Sequence, residues 1–419
     1  MNSNSWIVLA IGLYATTTNC TAADDLLGEH IDTLAFDERM SLAEVVETAF
    51  ERYPQNQLVY AFDEEAKALN QRSESLIAGY PMVYLQYINY ANISKNGGVN
   101  NIQTGYQVPV WMWGQKDAGQ KVADQAQKGV EKYLNAFKHE LAGLIRDSLW
   151  MLRLAENRLE LSRKIYGVAE KLSAVVKRRV ELGDLARADM LLAESDRLEK
   201  KTNLIQAEAE VMHARKNYQN LTRMDKAPAN FDERLSPIKS VDERHPSLAA
   251  ANTTVERAQA EVEFISRSKQ GNQPTVLLGT DSTSYGGSGD YGTGVNMVFQ
   301  IPVGGDDWHA PQVAQANVVL NEKIVQRERL WRQLEKSLHE AQHNLDVDRV
   351  ALEIAKERKS IAETQLKMSY IAFESGEIAL IDYLKIQTVA FAAIEDHAQR
   401  EIVLKKDTAV YNQVVGVTP

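Results

Sequence analysis

Cysteine is almost absent: Cys20 is the single one in 419 residues, which excludes an intrachain disulfide or a thiolate metal site. Long apolar runs are missing as well. Nothing beyond residue 22 approaches the roughly 20 apolar residues of a spanning helix, so any membrane crossing by the rest of the chain is by strands. Positive charge is not in surplus either. The 47 Lys and Arg face 57 Asp and Glu, a net charge of -10, and the charges are mixed along the helical segments without a basic stripe. That pattern argues against a nucleic-acid partner. No glycine-rich phosphate loop, Ser/His/Asp grouping or cofactor fingerprint occurs, so no cofactor and no catalytic residue is expected.

What is present is a duplication. Pro54 pairs with Pro246, Pro81 with Pro274, Pro109 with Pro302, Gly183 with Gly376 and Asp189 with Asp382, at offsets of 192 or 193 residues. Short matches surround the anchors: Glu51-Arg52-Tyr53-Pro54 answers Glu243-Arg244-His245-Pro246, and Tyr106-Gln107-Val108-Pro109-Val110 answers Phe299-Gln300-Ile301-Pro302-Val303. A unit this long is two copies of one domain half, not a solenoid repeat.

The only long apolar run, Trp6 to Ala15, precedes small polar residues ending at Thr21-Ala22-Ala23 and reads as a secretory signal over residues 1–22, although no Lys or Arg precedes it. Cleavage there would remove Cys20; lipidation of Cys20 is the alternative, against which Thr17-Thr18-Asn19 is a poor lipobox. Residues 41–225 form the first repeat and 241–417 the second, joined by a Pro-containing linker over 226–240. Within them, residues 80–114 and 273–303 are poor in charge and carry turn-forming clusters at 95–101 and 286–290, so each reads as a long β-hairpin. In the second hairpin Tyr291, Thr293, Val295, Met297, Phe299, Ile301 and Val303 alternate with small or polar residues, as in a strand with one face to lipid. Gln103, Gln107, Asn296 and Gln300 then point to the lumen.

Residues 115–223 and 312–414 read as long helical hairpins. Val130, Leu134, Phe137, Leu141 and Leu144 step by four and three along the first, and Trp331, Leu334, Leu338, Ala341 and Leu345 along the second, which are coiled-coil seams. A helix of about 65 residues is roughly 100 Å long, more than an ordinary globular core requires. Two hairpins supply four strands, whereas spanning barrels need at least about eight, so the chain is expected to oligomerise.

Helix, hairpin and long helical hairpin, repeated twice after a signal sequence, resemble the TolC outer-membrane factor family over essentially the whole mature chain. The resemblance rests on Pro54 and Pro246, on Pro109 and Pro302 where strand enters helix, and on tips with Gly183 then Asp189 and Gly376 then Asp382. It implies a mainly α fold with membrane β: a homotrimer whose 12-stranded β-barrel continues into a periplasmic α-helical barrel. It also implies a passive exit duct for tripartite efflux or type I secretion, in the outer membrane with a large periplasmic portion. Partners would be a periplasmic adaptor, an inner-membrane pump and outer-membrane lipid. Compact loops and modest length resemble the heavy-metal efflux branch, with drug or peptide export left open as the cargo. Leu182, Gly183, Asp184, Ser375, Gly376 and Glu377 would be adaptor-contacting tips, and Asp382, Lys385 and Asp189 the periplasmic gate. Lys385 stands where members with acidic rings have a second Asp, and Val180 where the first tip usually has an aromatic, so a mixed or salt-bridged ring is expected. Two readings of the aspartates stay open, since carboxylates in a first helical turn are stabilised by its exposed N–H groups in any case.

His339-Glu340-Ala341-Gln342-His343 matches the H-E-x-x-H zinc pattern, but the seam puts both histidines on the polar side and no third ligand or cleft is suggested. No metal site and no enzyme is expected. The alternative function is a periplasmic adaptor or coiled-coil scaffold that never enters the membrane; adaptors usually carry one helical hairpin, not two.

Overall fold

The computed structural model describes residues 33–90, 98–268, 273–285 and 289–419. The signal over residues 1–22, Cys20 and residues 95–97 and 286–288 of the two expected turns lie outside the described residues; Val99 to Asn101, expected in the first turn, belong to strand β3. A short strand β1 (Ala35–Asp37) leads into α1 (Leu42–Arg52), α2 (Asn56–Glu74), the hairpin β2 (Met82–Tyr90) and β3 (Val99–Pro109), and the long α3 (Gln115–Glu181). Helix α4 (Arg187–Thr222) returns. β4 (Lys226–Pro228) pairs in parallel with β1, so part of the 226–240 linker is a strand. The second copy follows as α5 (Pro246–Arg267), β5 (Thr275–Tyr285), β6 (Gly292–Gln300), α6 (Asp306–Glu374) and α7 (Leu380–Val414).

Local chemistry sets the boundaries. Ser41 caps α1 in a full capping box with Glu44, which satisfies two otherwise orphaned N–H groups. The tips are Schellman turns: Gly183 at φ 86° and Gly376 at φ 79° let Asp184 N donate to Arg179 O and Glu377 N to Ala372 O. Only glycine adopts that left-handed conformation without a Cβ penalty. The second long helix begins at Asp306, six residues before the expected Gln312, and holds Pro311 inside it. Gly305, at φ 86°, opens that helix by accepting from Trp308 N and His309 N, so Pro311 falls in the second turn, where it withholds only the bond to the Asp307 carbonyl.

The four strands form one antiparallel sheet in the order β2-β3-β5-β6. Below it α3 packs with α2 and α5, and α5 with α6; further down the order becomes α4, α3, α7, α6. One margin of the molecule is thus β2, α2 and α4, and the other is β6 and α6. The main core lies about halfway along α3, where Phe137, Leu141, Ile145, Leu149 and Trp150 meet Val45, Phe50, Tyr218 and Phe231. The expected seam drifts here: Leu144 is exposed and Ile145 is buried, because α3 is held by neighbours on two sides and buries a wider stripe than an a/d seam. In the second copy Leu338, Ala341 and Leu345 are buried as the heptad requires, and Trp331 and Leu334 pack against them.

Candidate channel wall, tips and subunit margins

In the sheet, register sorts the side chains. Val83, Leu85 and Tyr87 of β2, Tyr106 of β3, Leu278 of β5 and Val295, Met297 and Phe299 of β6 fall on one face and are all exposed. An apolar face this large, left open to solvent by the chain itself, is the lipid-facing pattern of a barrel. The opposite face is mainly polar, with Met82, Ile88, Leu277 and Val298 among its apolar exceptions, and its polar groups tie themselves together. Gln103 Nε2 donates to Asp281 Oδ2 at 2.9 Å, Gln107 Nε2 to Thr275 Oγ1 at 3.0 Å, and Thr275 Oγ1 to Gln300 Oε1 at 3.0 Å. Asn296 lies on this face opposite Gly279. Gly279 and Gly105 face each other so closely that a Cβ on Gly279 would sit 2.0 Å from the Thr104 carbonyl oxygen. Asp281 was not singled out from the sequence, yet it is the one charged residue in the four strands; its position in strands otherwise free of charge was the available signal.

The two tips pack on each other. Leu172, Val176 and Ala193 from one hairpin and Phe373, Leu380, Tyr383 and Leu384 from the other form a single apolar cluster. Phe373 stacks on Tyr383 at 5.4 Å, and Arg179 lies over the Phe373 ring and donates to its carbonyl. Val180, in place of an aromatic, packs at the edge of that cluster. Leu182 at the first turn is exposed. Asp189 accepts from the Ala186 N–H at 3.2 Å in the first turn of α4. Asp382 holds the same place in α7, and Lys385 Nζ lies 3.4 Å from its Oδ1, both side chains exposed.

His339 and His343 are exposed and point away from the buried seam, and Glu340 pairs with Lys336 at 3.6 Å. Among the described residues no group of three or more His, Cys, Asp or Glu could hold a metal ion.

Two further features were not legible from the sequence. The first is a polar lock at mid-height. Buried Arg146 makes a two-pronged pair with Glu233 at 2.7 and 2.9 Å, and also donates to Gln413 and to the Val417 carbonyl. Asn412 Nδ2 donates to Glu233 Oε2 at 3.0 Å. Beside it His139 and His245 meet edge to face at 5.1 Å; burial, helped by His245 and Arg146, pulls the His139 pKa down to about 4. The second is a pair of matched apolar rows on the two margins. Leu191, Leu198, Ile205 and Met212 step by seven along α4, and Val347, Ile354, Ile361 and Met368 step by seven along α6. All but the half-buried Met212 are exposed, while α4 packs on α3 and α6 on α7. Laid antiparallel, the rows meet in one register: Leu191 with Met368, Leu198 with Ile361, Ile205 with Ile354, Met212 with Val347.

No model of a known protein family matches the chain. Among curated proteins it is similar to the cobalt-zinc-cadmium resistance protein CzcC of Cupriavidus metallidurans, 23% identical over 297 residues that span 68% of this chain and 70% of that one. Among solved structures it matches CusC at a TM-score of 0.71 with 12% identity, covering 92% of this chain and 93% of that chain. The outer membrane protein VceC of Vibrio cholerae matches at 0.70 with 13% identity, covering 90% and 97%. The chain has the fold of the TolC-like outer-membrane channels. The CmeC outer membrane channel of Campylobacter jejuni has the same fold, at 0.68, 13% identity and 90% and 86% coverage.

Proposed function

We propose that the chain is the outer-membrane exit duct of a tripartite efflux or type I secretion system, a homotrimer that performs no chemistry of its own. The observation that carries this reading is the open-edged sheet, apolar on one face and polar on the other, set on helical hairpins of roughly 100 Å. Edge strands β2 and β6 expose unpaired backbone groups, which lipid does not tolerate. Ring closure by identical copies, β6 and α6 of one against β2 and α4 of the next, pairs every edge through a heterologous interface. Three copies give 12 strands and a helical barrel of matching girth. The seven-residue rows supply the helical part of that interface, since each row is a coiled-coil stripe without a partner in its own chain.

At the lower end, three copies of Asp382 with Lys385 line the mouth, with Asp189 nearby, as a mixed ring. An adaptor docking on Leu182, Gly183, Asp184, Ser375, Gly376 and Glu377 opens it. Gln103, Gln107, Asn296 and Gln300 face the lumen. The likeness to CzcC favours a metal-cation cargo, exported with the help of an adaptor and an inner-membrane pump. The periplasmic-scaffold alternative would leave the apolar face of the sheet in water.

The test is extraction from the outer-membrane fraction and cysteine pairing across the rows. A mass somewhat below three full chains of 47.0 kDa, since the signal over residues 1–22 is removed, obtained only in detergent, is expected. In a chain with Cys20 replaced by Ser, Leu198→Cys combined with Ile361→Cys should cross-link to trimers on mild oxidation, because a disulfide needs Cα atoms about 4.4–6.8 Å apart. Leu198→Cys with Ile354→Cys, one heptad off, should not. A water-soluble monomer, or equal cross-linking of both pairs, would sink the duct or its register.

A further inference from the structure

We propose that Asp281 is a cation-selecting residue of the barrel: in the closed oligomer its copies form a ring of fixed negative charge on the lumen wall, nearer the strand turns than the helices. The inference rests on the oligomeric duct proposed above. Asp281 is the seventh of the eleven residues of β5 and the lone charge in the four strands. It stands on the polar face, between Gln103 of β3 and Gly294 of β6.

Its carboxylate is held without being neutralised. Oδ1 accepts from Asn101 Nδ2 at 2.5 Å and from Thr283 Oγ1 at 3.1 Å, and Oδ2 accepts from Gln103 Nε2 at 2.9 Å. Neutral donors of this kind fix its direction but supply no opposite charge to pair with it. On the β6 side Gly294 has no side chain to cover it. None of these donors carries a charge, and no other charged side chain stands in the four strands, so the field of the carboxylate on this face attracts cations and repels anions. Rings of acidic side chains select cations by this means.

The experiment is planar-bilayer recording of the full-length trimer across a tenfold KCl gradient, for the parent and Asp281→Asn. Asparagine keeps the volume and removes the charge. Parent channels should be cation-selective, and Asp281→Asn should lower the cation-to-anion permeability ratio at least twofold at dilute salt. The same drop should appear in an Asp382→Asn background, which separates the barrel from the mouth. The difference should shrink at 1 M salt, where the Debye length is about 3 Å. A trimeric, conducting Asp281→Asn variant with unchanged selectivity would overturn the assignment and leave the duct standing. A parent trimer that never conducts, with or without tip substitutions that open the mouth, would overturn the duct and this inference with it.

Discussion

Removing Arg146 should unlock the molecule at mid-height. Its guanidinium ties α3 to the linker through Glu233 and to the C-terminal segment through Gln413 and Val417, and its side chain is only 3% exposed. Arg146→Met leaves Glu233, 17% exposed, with the Asn412 amide as its remaining side-chain donor. Breaking a buried pair from one side costs about 3–5 kcal/mol, and the partial exposure of Glu233 places the expected loss near 3 kcal/mol. At about 2.1 cal/mol/K of unfolding entropy per residue, a chain of this length loses roughly 3 °C of Tm for that energy if it melts as one unit. Glu233→Leu alone should cost a similar amount by stranding Arg146. The double variant should recover most of the loss, since an apolar replacement of both partners is often close to neutral. Melting of the three variants followed by circular dichroism in detergent completes the cycle. Additive losses, or single variants within 0.5 °C of the parent, would refute the account of the lock.

His139 adds a pH dependence to the same region. Its folded pKa, about 4, lies below the unfolded value of 6.5, so between those limits the unfolded chain binds more protons. Stability present above pH 6.5 is therefore lost as pH falls toward 4, by up to about 3 kcal/mol; His139→Gln should flatten the urea midpoint over that range. In the four-stranded sheet, Gly279→Ala should prevent the proposed trimer from surviving warm detergent, because its Cβ would meet the Thr104 carbonyl oxygen at 2.0 Å. Gly294→Ala, with open space around it, is the control and should assemble normally on semi-native gels.

Much of the architecture was legible because it is written twice. Paired prolines and glycines mark chain reversals by backbone geometry alone, and period-two and heptad patterns distinguish strand from long helix. Two helix details escaped that reading: the start at Asp306 and the burial of Ile145 in place of Leu144. The first depends on Gly305 opening a turn, the second on how many neighbours surround α3. The Arg146–Glu233 lock and the His139–His245 contact join residues 87 and 106 positions apart, and no local pattern announces such pairs.

The sequence by itself determined the duplicated plan, the absence of spanning helices and the identity of the turns, because these follow from residue periodicity and allowed φ and ψ. Only the tertiary structure decided which heptad row of α4 and of α6 is left outward, and that both rows lie on opposite margins in matching register. It also decided that the lone strand carboxylate stands on the polar face among neutral donors. Those outcomes depend on which helices and strands become neighbours, a choice made by packing across the whole chain.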